Sequence, residues 1–509
     1  MLSRSSPVLG LLMLIGAGVA TAQTYETKYG TGALASDTGL ANSAFGYDAL
    51  FSNTSGSNNT AVGFDALYFN SGGQNTASGS EALAQNTIGG NNTAHGFEAL
   101  DFNVSGSQNT ANGAESLQAN TTGNDNTATG FMALSSVSTG IQNTAIGSQA
   151  LFADVGSDNT AAGYEALYFN NGGTRNSAVG ALAMFSTNSG NYNTASGYAA
   201  LYSNTTGSWN NAAGQEALYS NTTGDNNNAV GTGALFSNTT GTLNNAIGNY
   251  ALEYNTTGAN NNAVGYAAMV NNTTGSSNSV QGFYALASNT TGSSNIAIGY
   301  RAGINSITGN SNIFIGNSAV AGDYATIRIG NSAQHRVFYV AGVSGVNVSG
   351  GAAVVVDSSG QLGVVASARR YKQDIQPMGN LSERLYQLQP VTFRYRKADA
   401  DTQQPIQVGL IAEDVAQVLP ELAVYDRDGQ PDSVAYHLLP TLLLNELQKQ
   451  HQQLQQARER IQIQDRKLKE IDSLRSEVAE LRRLTTQLAA ARTGEGLSNE
   501  GATQVAMAH

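Results

Sequence analysis

The 509-residue sequence has no cysteine, 7 prolines, a single tryptophan and only 12% charged residues. Without cysteine, neither disulfides nor thiolate metal sites can hold the fold, so ladders, packing or association must do so. The formal charge is −12, and Lys and Arg are not clustered anywhere before Arg369. That excludes tight nucleic-acid binding, which requires basic residues to neutralise phosphates. So little charge beside 58 glycines does not describe an ordinary globular enzyme. It describes a repetitive array.

Long apolar runs are scarce too. Val8 to Ala20 follows a basic start at Arg4 and ends in Ala20-Thr21-Ala22, a small-x-small cleavage pattern. The run is shorter than the ~20 apolar residues of a spanning helix. The expectation is a signal peptide over 1–22, a mature chain from Gln23, a secreted or cell-surface location and no transmembrane anchor.

What is present in quantity is a repeat. "NAAGQEALYSNTTGDNN", "NAVGTGALFSNTTGTLN" and "NAIGNYALEYNTTGANN" begin at Asn211, Asn228 and Asn245. The glycine closing the N-x-A-x-G core recurs from Gly46, Gly63 and Gly79 to Gly299 and Gly316, at steps of 17 broken twice by 16. A period this strict marks one supersecondary unit per repeat, which buries its apolar side only by stacking on its neighbours. Helical repeats need about 33 residues, and Gly, Asn and Thr are poor helix formers. The repeat therefore predicts a mostly β fold, a parallel solenoid or roll of 17-residue coils. Ala two before the marker glycine and Leu four after it form an internal column. Asn four before it forms a ladder between coils, and the marker glycine with "NTTG" supplies turns.

These coils resemble the head repeats of trimeric autotransporter adhesins of the YadA-like type, left-handed parallel β-rolls shared among three chains. The resemblance covers residues 33–320 and implies a homotrimer. A single-chain solenoid is the alternative that the repeat itself leaves open. The Thr column after the marking Asn (Thr60, Thr76, Thr93) suggests a regular surface match, to a polysaccharide or to ice. Its switch to Asn at Asn211, Asn228 and Asn245 fits a bonding ladder better. The N-x-[ST] triplets read as turn chemistry rather than glycosylation acceptors.

After Gly316 the period dissolves into Val- and Ile-rich runs cut by Gly and Ser, read as a β neck over 321–366 that caps the 23–320 shaft. Lys and Arg then become frequent. "SARRYKQDI" at 367–375 places a serine five residues before a lysine. A serine hydroxyl needs a base to act as a nucleophile, and neutral lysine is one. On an unbroken helix the pair would stand about 140° apart, so Ser367 must precede the helix for the two to meet. The alternative is that Ser367 simply caps a helix starting at Arg369.

"SARRYKQDI", "LQPVTFRYRK", "VGLIAEDVAQVLPELAVYD" and "VAYHLLPTLLLNELQ" together resemble the C-terminal intramolecular chaperone domain of endosialidase tailspikes and related tail fibres. The resemblance implies a small α+β domain over 367–450 that assembles a trimeric fibre and then cuts itself off. It also implies Ser367 as nucleophile and Lys372 as base, with Ala368 where the family often carries Asp or Ser. Glu413 and Asp414 are adjacent, hence on different helical faces, and read as surface charges; His437 reads as a packed or contact residue, since no second His, Asp or Glu stands at metal-ligand spacing. No cofactor or metal is expected.

Leu447, Leu454, Ile461 and Leu468 recur every seven residues, and Val478, Leu481 and Leu488 continue the seam after a phase change near Ile471. This predicts a coiled coil over 441–492, followed by a disordered tail over 493–509 without membrane strands. The whole reads as an exported fibrous protein whose C-terminal domain is a trimerisation chaperone and self-cleaving serine peptidase. Two alternatives stand beside it: an uncleaved surface adhesin with a permanent trimer clamp, and a shaft that binds a cell-surface or carbohydrate ligand.

Overall fold

A computed structural model describes residues 25–494 apart from 342, 344–348, 350, 358, 397–403 and 427. The expected signal peptide and residues 495–509 of the expected tail lie outside the described residues. The chain forms two units, Met1–Ser344 and Gly345–His509.

The first unit is a parallel β-solenoid. Each coil contributes one three-residue strand, and 19 strands, from Thr27–Tyr29 to Ile327–Ile329, pair in parallel. Repeat positions coincide with register: Thr60 faces Thr76, Ala61 faces Ala77 and Val62 faces Ser78. Side chains alternate along a strand, so the middle alanine points inward and is fully buried while its neighbours point out. Beyond the marker glycine, an alanine and a leucine such as Ala66 and Leu67 are also fully buried.

The leucine takes a left-handed backbone, with φ of 53° at Leu50 and at Leu67. That conformation costs a non-glycine residue about 1–2 kcal/mol. Burying the whole leucine side chain returns roughly 1.5–3 kcal/mol, so the corner holds.

Two asparagine columns run through the interior. The marking asparagine bonds its neighbour's main chain: Asn59 N–H donates to Asn42 Oδ1 at 2.9 Å, and Asn42 Nδ2 to the Gly56 carbonyl at 2.9 Å. In later coils the amides also meet directly, as from Asn109 to Asn92 at 3.2 Å. The asparagine of "NTTG" forms the second column, with Asn221 Nδ2 donating to Asn204 Oδ1 at 2.8 Å and to the Gly224 carbonyl at 3.0 Å. These side chains are fully buried, so they are structural and closed to glycosylation. Val137, Thr187 and Ser306 interrupt this second column. The Oδ1 atoms of Asn120, Asn170 and Asn289, one coil earlier, are consequently left without a partner. The outward Asn211, Asn228, Asn245 and Asn262 form a third, surface ladder at 2.6–2.7 Å.

Glycine is required by contact as much as by conformation. Gly214, a marker, has φ +146°, and a Cβ there would stand 2.5 Å from the Gly231 carbonyl oxygen. Gly224 of "NTTG" has no left-handed φ, yet its Cβ would come within 2.4 Å of the Gly241 oxygen. Close stacking of coils selects it, rather than the turn angle expected from sequence. The steps of 16 lose one residue between the "NTTG" asparagine and its glycine, as in Asn70-Ser71-Gly72. Strand register is untouched by that deletion.

The sheet runs through Ile327–Ile329, inside the segment read as the neck, and begins as early as Thr27. Both end coils lack the Asn and Ala markers. Arg328 takes the inward position opposite Phe314, and its guanidinium pairs with Asp323 at 2.7 Å through two nitrogens. Lys28 holds the corresponding place at the other end, opposite Ala44. Charge on the terminal strands discourages further edge pairing.

In the second unit, Val355–Val356 and Leu362–Gly363 form a short antiparallel hairpin. The 3-10 helix Leu381–Gln387 precedes two further antiparallel pairs, Val391–Phe393 with Gln407–Gly409 and Ala423–Tyr425 with Pro431–Val434. Helix α1 (Ala412–Val418) lies between them, and helix α2 (Leu439–Gly494) runs unbroken for 56 residues. Val415, Leu419, Leu422, Val434 and Leu442 form the small core, against which Leu381, Leu385 and Leu388 pack.

Candidate active site

Ser367 and Lys372 flank a single turn of 3-10 helix, Arg369–Tyr371. Both bordering residues are extended, Ala368 at φ −68°, ψ 142° and Lys372 at φ −122°, ψ 139°. The Tyr371 N–H bonds the Ala368 carbonyl and the Lys372 N–H that of Arg369, each at 3.0 Å. One tight turn between extended arms folds the chain back on itself. Lys372 Nζ thereby donates to Ser367 Oγ at 3.1 Å.

The helix-cap alternative does not describe this geometry. Ala368 occupies the N-cap position and no side-chain cap bond is formed. Arg370 lies over the Tyr371 ring, 4.7 Å from its centroid. Ser367 and Lys372 are both exposed.

The rest of the domain is held to α2 by a polar cluster that the sequence reading did not single out. Ser382 Oγ donates to Glu446 Oε1 at 2.7 Å, Tyr386 Oη to Oε2 at 3.1 Å, and Asn445 Nδ2 to Ser382 Oγ at 2.6 Å. Lys449 reaches Glu383 at 2.9 Å and Glu446 at 3.3 Å. The Ser382 hydrogen bond, helped by those from Tyr386 and Lys449, holds the Glu446 carboxyl below the usual carboxylate range. The one available signal was a glutamate inside the apolar run "LLLNELQ". Tyr436, beside the His437 that sequence directed attention to, accepts a bond from the Leu410 N–H at 2.8 Å. His437 is exposed, as are Glu413 and Asp414 in the first turn of α1, where they oppose the positive end of the helix dipole.

Residues 367–424 match the family model described as chaperone of endosialidase. The match opens on Ser367 and takes in Lys372, the pair Val391–Phe393 with Gln407–Gly409, α1 and the start of the strand Ala423–Tyr425. No curated protein matches the chain. The matched segment thus supplies Ser382, Glu383 and Tyr386 of the Glu446 cluster and precedes α2. On α2 the leucines 447, 454 and 468 and Ile461 are all more than half exposed. Exposed apolar residues at heptad spacing are the pattern of a coiled-coil seam.

Proposed function

We propose that this is an exported fibrous protein whose C-terminal unit brings three chains together, sets their register and then removes itself by one serine–lysine cleavage beside Ser367. The observation that carries the reading is the 3.1 Å contact between Lys372 Nζ and Ser367 Oγ at the first residues of the chaperone match. Ser367 Oγ attacks the carbonyl carbon of an adjoining peptide bond while neutral Lys372 accepts the hydroxyl proton. The ammonium returns that proton to the leaving amine, and water resolves the ester. The substrate is covalently attached, so proximity replaces substrate binding.

A lysine acts as a base only when neutral, and burial favours the neutral amine. Both groups are exposed in the single chain. On this reading, burial of the pair when three chains associate couples cleavage to assembly. The order is useful because identical coils can pair out of register, and slow long-range pairing exposes chains to misassembly. A coiled coil raises local concentration and fixes register, and the released shaft is then protected by its unfolding barrier.

Intact-mass analysis of purified wild type beside Ser367→Ala and Lys372→Ala tests the chemistry. The expected result is a C-terminal fragment beginning at or next to residue 367 in wild type and in neither variant. Full-length wild type alone would leave the chaperone domain as a permanent clamp.

A further inference from the structure

Six aromatic rings, one per coil from Phe152 to Phe236, stack along the shaft at 4.9–5.2 Å. They are half-buried and cover the coil corner, so packing explains them. A second stack has no such explanation. Asp158, Arg175, Tyr192 and Trp209 hold one equivalent place in four successive coils. The main-chain N–H of each bonds a carbonyl of the preceding coil at 3.0–3.2 Å.

The backbone at this place is left-handed, with φ of 57–61° at all four. Asn58, Gln74, Asn91 and Gln108 occupy it elsewhere, and Leu243 in one later coil, while asparagine tolerates that conformation best. Bulky rings there run against local preference, which is a mark of sites kept for function. Yet the chain puts its sole tryptophan there, 59% exposed.

The side chains are ordered among themselves. Tyr192 and Trp209 stack at 4.1 Å with planes 6° apart. The Arg175 guanidinium lies 5.2 Å over the Tyr192 ring and donates to its hydroxyl, while Asp158 stands 3.9 Å from Arg175 Nε. The next coil offers only Asn226, shorter than an indole, so the face of Trp209 turned away from Tyr192 is open.

We propose that this stack is a binding site for a neutral polysaccharide, with one pyranose ring on the free face of Trp209 and hydroxyls of more distant rings of the same chain bonded by Arg175 and Asp158, two and three coils away. A pyranose has an apolar C–H face, which matches an exposed aromatic plane, and rim hydroxyls that suit polar groups further along the stack. Guanidinium supplies fixed donors and carboxylate supplies acceptors. The two charges cancel, and an acidic shaft disfavours an anionic ligand. Four side chains are also far below the ~800 Å² that a protein partner needs. The proposal concerns only the first unit and does not depend on cleavage at Ser367.

Since Trp209 is the only tryptophan, its emission reports on this site alone. The full-length protein is titrated with chitohexaose, cellohexaose, maltohexaose, mannohexaose and xylohexaose and applied to a glycan array. The expected result is a saturable emission shift with at least one hexasaccharide and retention on neutral glycans. Trp209→Asn and Tyr192→Asn, which restore the residue type common at this place and so keep the coil, should weaken array binding about tenfold or more. The proposal is overturned by silence across the panel and array, by binding to acidic glycans only, or by Tyr192→Asn binding like wild type. It is equally overturned by a tryptophan that acrylamide cannot reach before sugar is added, because other copies would then cover the stack.

Discussion

The shaft and the C-terminal unit solve opposite problems with their apolar residues. In the shaft most interior coils hide two alanines, a leucine and two asparagines inside their own chain. In the C-terminal unit a core of five buried hydrophobics supports a 56-residue helix whose seam leucines face solvent. The shaft closes on itself coil by coil. The second unit leaves the apolar residues of its long helix exposed, and the proposed function places the contacts between chains there. Repetition makes the shaft stable but ambiguous in register, an ambiguity that the proposed function assigns the non-repetitive C-terminal unit to remove.

The comparison breaks most sharply at glycine. Gly214→Ala places a methyl 2.5 Å from a neighbouring backbone oxygen at φ +146°, whereas at Gly360, φ +85°, nothing lies within 4 Å. Gly214→Ala should destabilise the shaft by on the order of 4 kcal/mol or more, and Gly360→Ala by about 1–2 kcal/mol. Urea unfolding of the full chain separates them. Equal effects would mean that the coils are not in contact at the marker glycines.

Leucine gives the next largest contrast. Leu218→Ala empties a fully buried site and should cost about 2–5 kcal/mol of shaft stability. Leu454→Ala, on the open seam of α2, should leave shaft unfolding unchanged and lower the oligomeric state seen by sedimentation. A loss of shaft stability with intact assembly would reverse the roles assigned to the two units.

Asp154 sharpens the picture inside the shaft. It replaces asparagine in the second buried column, accepts from Asn170 Nδ2 and the Gly156 N–H at 2.7 Å each, and follows the coil of Val137. Burial pushes its carboxyl up to about 7, against opposing hydrogen bonds. A raised carboxyl pKa means that the fold prefers the protonated form. The contribution is therefore fully present below the unfolded value near 4 and is lost as pH rises through about 7. Asp154→Asn should raise stability by roughly 2–4 kcal/mol at pH 8 and have little effect at pH 4. Thermal melts at both pH values check the sign. A gain of equal size at both would remove titration as its cause.

The period, the inward alanines and the marking asparagines were legible in the sequence because each coil repeats the same local contacts. The second asparagine column was not, since "NTTG" carries ordinary turn chemistry and the partner lies one coil away. Left-handed leucines go against backbone preference, and only the closed core shows why they persist. The end coils escaped because Lys28 and Arg328 stand where the pattern demands alanine. At the candidate site, the "SARRYK" spacing required Ser367 to precede the helix, and one 3-10 turn between the extended Ala368 and Lys372 lets the lysine reach it. Glu446 was hidden because its partners Ser382 and Tyr386 are 64 and 60 residues away in sequence.

The most direct test of assembly-coupled cleavage is to refold the full chain across a dilution series and quantify the fragment starting at or next to residue 367. Cleavage licensed by association should fall steeply with dilution in wild type and be absent at every concentration in Lys372→Ala. A cleaved fraction that is independent of concentration, or a fragment that persists in Lys372→Ala, would contradict the account.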